Sequence, residues 1–165
     1  MTADEGASDT VVGLDLGYVP EAAISAPFMV QDENNAVLTF NAMRTRPDGL
    51  RETAGTDIVE IKRCVITRFG YPNDEALPGH PLYQRGLGAY AIYEVLHSSW
   101  IAQLQAQNRV SFPGAEYWLS SDRYHHYAFT FHDSMFECIA GEIVLTVSRE
   151  PWARIVQSLI PRFNY

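Results

Sequence analysis

Residues able to move protons or hold a ligand occur in three places along the chain. The first is the segment 69–86, FGYPNDEALPGHPLYQRG. It combines Asp74, Glu75 and His80 with Tyr71, Tyr83 and Arg85. The second is the segment 124–147, where Thr130, His132 and Glu137 surround a turn. The third is Glu94, a carboxylate inside the apolar run YAIYEVLH that ends at His97. A histidine beside a carboxylate can act as a base and its orienting partner, or as an acid and a base. The candidate catalytic residues are therefore Glu94, His80, His132 and Glu137. Tyr71, Asp74, Tyr83, Arg85, His97 and Thr130 are the candidate ligand contacts.

Each candidate also has an ordinary reading. His132 and Asp133 are common residue types at turns. Glu94 is expected to pair with Lys62, Arg63 or Arg68, because buried charges are normally paired; otherwise it is desolvated or faces a polar cavity. The segment 69–86 holds three prolines and three glycines, too many for a regular helix or a central strand. Long loops inside a compact domain are usually functional or disordered, and the aromatic residues spaced along this one favour order. It reads either as a lid over a pocket or as a well-anchored crossover. Tyr71-Pro72-Asn73-Asp74 signals a turn, a short helical turn follows through Leu77, and Pro78-Gly79 stops it.

Other chemistries have weaker support. The histidines at 80, 97, 125, 126 and 132 show no HExxH or HxH spacing, so a metal site would have to be assembled from distant segments such as His80, His97 and His132. No metal or cofactor is expected. There is no GxSxG elbow. Cys64 and Cys138 lie in strand-like runs without the setting that lowers a thiol pKa, and they are expected to be reduced. The glycines at 86 and 88 precede a strand, whereas a phosphate loop precedes a helix. Ser98 or Ser99 is expected to cap a helix.

The elements that would position these groups follow from periodicity. Strands are expected over 11–16, 24–31, 36–44, 57–69, 90–97, 124–132 and 135–147, with helices over 100–108 and from 148 to 160. In the 57–69 strand Val59, Ile61, Val65 and Phe69 would share one face, interrupted by Arg63. Gly141 marks a bulge or bend. With Asp133-Ser134 as a two-residue loop, Thr130 falls opposite Glu137 and Phe129 opposite Cys138. Tyr127, Phe129, Phe131, Phe136, Cys138 and Ala140 then face the core. His126, Ala128, Thr130, His132, Met135, Glu137 and Ile139 share the other face. A one-residue error in the loop would be expected to disperse this cluster.

Hairpins and short connections dominate, so the fold class is α+β. A mainly antiparallel, strongly curved sheet of about six or seven strands is expected, closed or half-closed into a β-roll with two helices packed on it; a flat sheet backed by the helices is the other version. Residues 1–10 are expected to be a disordered acidic tail and 11–165 one domain. The 165 residues carry a net charge of −8, which opposes nucleic-acid binding. No window has the length or apolarity of a membrane span, and the N-terminus does not resemble a signal peptide. A cytoplasmic protein is expected, with a homodimer compatible with the sequence. Two functions fit: a metal-independent acid/base enzyme with a small-molecule pocket under the 69–86 loop, or an accessory module that docks a basic partner. A metal-dependent enzyme with dispersed histidines is the third reading.

Overall fold

A computed structural model describes residues 8–163. Among the described residues ten strands form two antiparallel sheets with two α-helices. The fold is α+β, with more and shorter strands than periodicity alone suggests. The strands are β1 (Thr10–Gly13), β2 (Val19–Pro20), β3 (Phe28–Gln31), β4 (Ala36–Thr45), β5 (Arg51–Lys62), β6 (Ile66–Gly70), β7 (Ile92–Leu96), β8 (His125–Thr130), β9 (Met135–Ala140) and β10 (Glu142–Ser148). The helices are α1 (Ser99–Ser111) and α2 (Trp152–Leu159). The first sheet runs β1-β7-β8-β9-β6. The second runs β10-β5-β4-β2, with β3 also paired to β4.

The chain crosses between the sheets three times, after β1, β5 and β9, and the last two crossings meet at a double corner. Where a single strand over 57–69 is expected, the backbone turns at Arg63, which adopts φ 52°. Beside it, the expected long strand 135–147 breaks at Gly141, whose N–H donates to the Lys62 carbonyl at 3.0 Å. A Cβ on Gly141 would lie 2.3 Å from Arg63 Nε, so the corner closes around a residue without a side chain. The turn changes the alternation. Val59, Ile61 and Cys64 enter the core, while Val65 and Phe69 are exposed. Arg63, an apparent interruption of an apolar face, is the corner itself.

Between the sheets lies an apolar core that includes Leu38, Phe40, Val59, Ile61, Ile92, Phe129, Phe131, Phe136 and Cys138. Asp57 is also fully buried, on β5 opposite Phe40 and Val147. Ile155 and Leu159 of α2 cover the outer face of the second sheet against Val37 and Ile58. Two structures cover the outer face of the first sheet. Helix α1 and the segment after it place Trp100 and Leu119 against Ile139. The 69–86 loop places Leu77 and Leu82, with Leu87 just beyond, against Val95, Ala128 and Met135. Thr130 anchors that connection by donating to the Gly88 carbonyl at 2.7 Å and accepting from Ala91 N–H.

The β8–β9 hairpin keeps the expected faces but not the expected partners. Its loop is His132-Asp133, closed by Phe131 N–H donating to the Ser134 carbonyl at 2.9 Å. Thr130 therefore faces Met135, Ala128 faces Glu137 and Phe129 faces Phe136. Sliding a two-residue loop by one position moves every partner by two residues. Alternation has period two, so the polar face survives this slide. His132, expected on that face beside Glu137, instead sits in the loop. The tail expectation falls outside the described residues for 1–7. Of residues 8–10, Asp9 accepts from Ser99 N–H and Thr10 opens β1. Among the described residues no helix is long and apolar enough to cross a membrane.

Candidate functional site

A cavity of 560 Å³ opens where β7 and β8 end against α1. Its lining includes Glu94, His97, Ser98, Ile101, His125 and His126. It lies beside, not under, the buried leucines of the 69–86 connection. Two histidine–carboxylate pairs meet its margin. They sit on opposite faces of the β7–β8 ladder, because His125 and His126 are consecutive in a strand.

On the inner side His125 Nδ1 lies 2.6 Å from Glu94 Oε1. Glu94 is on β7 and diagonal to His125 across the ladder. The side chains are 24% and 30% exposed, so this pair is neither sealed in the core nor free in water. The expected pairing of Glu94 with Lys62, Arg63 or Arg68 is not the one formed. Lys62 and Arg63 lie at the corner and Arg68 in the middle of β6, at the far edge of the sheet from β7, whereas His125 is on the neighbouring strand. An ionised Glu94 accepts only, so the proton of a neutral His125 lies on Nδ1 and Nε2 carries the lone pair. Burial, aided by the nearby charge of Glu94, pushes the Tyr127 hydroxyl up to about 12.

On the outer side a hydrogen-bonded chain is buried. Ser98 Oγ lies 2.8 Å from His126 Nδ1, and His126 Nε2 lies 3.0 Å from Glu137 Oε1. His80 Nε2 approaches the other oxygen, Glu137 Oε2, at 3.7 Å. His80 Nδ1 accepts from Leu82 N–H at 3.2 Å, which leaves the proton of neutral His80 on Nε2, facing Glu137. Burial alone would push the Glu137 carboxyl up. The hydrogen bonds and charge of His126 and His80 outweigh it and hold the group down at about 2. Glu137 is thus a buried carboxylate held by two imidazoles. Trp100 packs edge-on to His126 at 5.2 Å, and Arg68 lies 3.9 Å over the Trp100 ring. Ser98 also caps α1, accepting from Ile101 N–H at 3.2 Å.

A third cluster lies away from the cavity, at the β8–β9 turn. His132 Nδ1 is 2.9 Å from Asp74 Oδ2, and the Tyr90 hydroxyl donates to the same oxygen. Asp74 N–H donates to the His132 carbonyl at 2.9 Å, tying the loop to the turn. The Tyr90 hydrogen bond, aided by His132, lowers the Asp74 pKa. The Asp74 hydrogen bond raises that of His132.

The four candidate catalytic residues therefore fall into three places: His80 with Glu137, Glu94 with His125, and His132 with Asp74. Among the ligand candidates, His97 lines the cavity at the turn into α1, with φ 54°. Thr130 is committed to backbone hydrogen bonds. Tyr71 and Tyr83 are exposed, and Arg85 reaches Ser8 Oγ at 3.2 Å. Among the described residues no three His, Cys, Asp or Glu side chains are grouped to hold a metal ion. Ser98, His125 and His126 are the members that sequence reasoning missed. Their only local signal was a serine before a helix and a His-His pair in a strand, both with ordinary explanations. No known protein family, curated protein or solved structure matches the chain.

Proposed function

We propose that the protein is a metal-independent acid/base enzyme acting on a small molecule held in the cavity between the β7–β8 ladder and α1. His125 is the proton-transfer group and Glu94 its orienting partner. The observation that carries this reading is the 2.6 Å contact between His125 Nδ1 and Glu94 Oε1 on the cavity lining. The contact fixes the tautomer, leaves Nε2 as the basic atom and stabilises the imidazolium that forms when it takes a proton. The lining combines Val95, Ile101, Ala102 and Leu119 with a few polar groups, a composition suited to small organic ligands.

The test uses p-nitrophenyl acetate as a probe of basic and nucleophilic groups. The protein should hydrolyse it faster than an equal concentration of free imidazole. His125→Gln should remove most of that rate, and Glu94→Gln should lower it at least ~10-fold, somewhat less than a positioned acid/base group itself contributes. Equal rates for wild type and His125→Gln would refute the assignment.

A second reading is favoured by the exposed rings of Tyr71 and Tyr83 on the 69–86 loop. In that reading the loop docks a basic protein partner against the acidic chain. Chemical-shift changes confined to residues 71–85 on adding a lysine-rich peptide would support it. Their absence at millimolar peptide would remove it.

A further inference from the structure

Burial of Ser98, His126 and Glu137 in one hydrogen-bonded line has a consequence separate from His125. We infer that Ser98 is a nucleophile for acyl transfer, with His126 as its base, Glu137 as the residue that positions His126, and His80 as a support for Glu137. The substrate class is a small ester or thioester with an apolar acyl group. This goes beyond the proton-transfer role of His125 and rests on that reading only in using the same cavity.

Proton positions follow from the partners. Glu137, ionised, accepts only, so neutral His126 carries its proton on Nε2 and donates it to Oε1. Nδ1 is then a lone pair, and the partner 2.8 Å away is the Ser98 hydroxyl, which must donate. Serine, imidazole and carboxylate stand in the order that activates a serine, with the two ring nitrogens exchanged relative to the commoner arrangement; the geometry and roles, not the sequence positions, define such a set. Ser98 also sits at the start of the 13-residue α1 and accepts from Ile101 N–H. Both the amide and the helix end favour negative charge on Oγ. Ser98 lines the cavity, and Val95, Ile101 and Leu119 give an acyl chain apolar surroundings.

The reaction balances with water as the only co-reactant. Ser98 Oγ attacks the acyl carbon and its proton passes to His126 Nδ1. The bond to the alcohol or thiol breaks, and the leaving group takes that proton. Water then attacks the acyl-serine ester and gives a proton to Nδ1. The carbon–Oγ bond breaks, Ser98 recovers the proton, and a carboxylic acid leaves.

The experiment labels the full chain with a fluorophosphonate, which forms an Oγ–phosphorus bond and expels fluoride. Peptide mapping should place one adduct on Ser98. Ser98→Ala should abolish it, and so should Ser98→Asn, which keeps a good helix cap without a nucleophile. Glu137→Gln should slow labelling at least ~10-fold, and the optimum of labelling against pH should move, an effect that loss of packing alone would not produce. Retained circular dichroism of Ser98→Asn shows that the fold survives. No adduct on wild type, or an adduct on another serine, overturns the inference. If labelling fails while p-nitrophenyl acetate hydrolysis still depends on His125, this inference falls and the proposed function stands. If Ser98 labels while hydrolysis is indifferent to His125, the reverse holds.

Discussion

Replacing Asp57 by asparagine should stabilise the protein at alkaline pH. Asp57 is fully buried between Phe40 and Val147, and neither carboxylate oxygen has a hydrogen-bond partner among the described residues. Burial pushes its pKa from 3.8 up to about 7. A carboxyl that binds its proton more tightly when folded favours the folded state most at low pH. That advantage shrinks as pH rises from 3.8 towards 7 and is gone above it. By linkage the shift corresponds to about 4 kcal/mol between the two limits. An asparagine at this position carries no charge at any pH. The difference in unfolding free energy should therefore be least favourable to Asp57→Asn at the acid end of the range. Between pH 4.5 and pH 8.5 the difference should move in favour of the variant by ~3 kcal/mol, the rest of the swing lying below pH 4.5. Urea melts at half-unit intervals from pH 4.5 to 8.5 measure the difference directly, and subtracting one protein from the other removes the contribution of all other groups. A constant difference across that range would refute the reasoning and show that Asp57 is ionised and solvated, or paired, in the folded protein.

Other expectations test the fold and the second polar cluster. Phe129→Ala removes a fully buried ring that touches Phe40 and Phe136. It should cost ~3–5 kcal/mol in a denaturant melt; a loss below ~1 kcal/mol would mean that the hairpin faces are reversed. Gly55→Ala should be far more damaging than Gly141→Ala. Gly55 has φ 134° and its Cβ would meet the Ser148 carbonyl oxygen at 2.4 Å, whereas at Gly141 the obstacle is the movable guanidinium of Arg63. Equal melting temperatures for the two variants would contradict this. Asp74→Asn should lower the His132 pKa seen by NMR titration, because the Asp74 hydrogen bond and charge raise it. An unchanged titration would mean that the loop does not hold Asp74 against the turn in solution.

The sequence carried some of this arrangement in legible form and hid the rest for physical reasons. Alternation in 124–140 placed Phe129, Phe136 and Cys138 inward and His126 and Glu137 together on the other face, because strand side chains have a fixed period of two. It could not set the register, since His132-Asp133 and Asp133-Ser134 are equally good turn dipeptides. The double corner was visible only as anomalies, a charge at Arg63 and a glycine at 141. Each becomes a corner because the other is beside it. The Glu94–His125 contact depends on the β7–β8 register, and the Ser98–His126 contact on where α1 docks. Both are long-range, and neither has a local spacing to announce it. Likewise, His80 was legible as a loop histidine before proline, but its approach to Glu137 depends on Leu77 and Leu82 seating the loop on the sheet.

The claim that chemistry takes place in the cavity beside α1 is tested most directly by filling that cavity. Ala102 lines it from an exposed turn of α1, and its methyl side chain can hydrogen-bond to neither histidine pair. Ala102→Trp should leave the fold intact, as judged by circular dichroism, and should abolish p-nitrophenyl acetate hydrolysis by excluding the probe. A folded Ala102→Trp protein that hydrolyses the probe at the wild-type rate would place the reaction elsewhere and contradict the account.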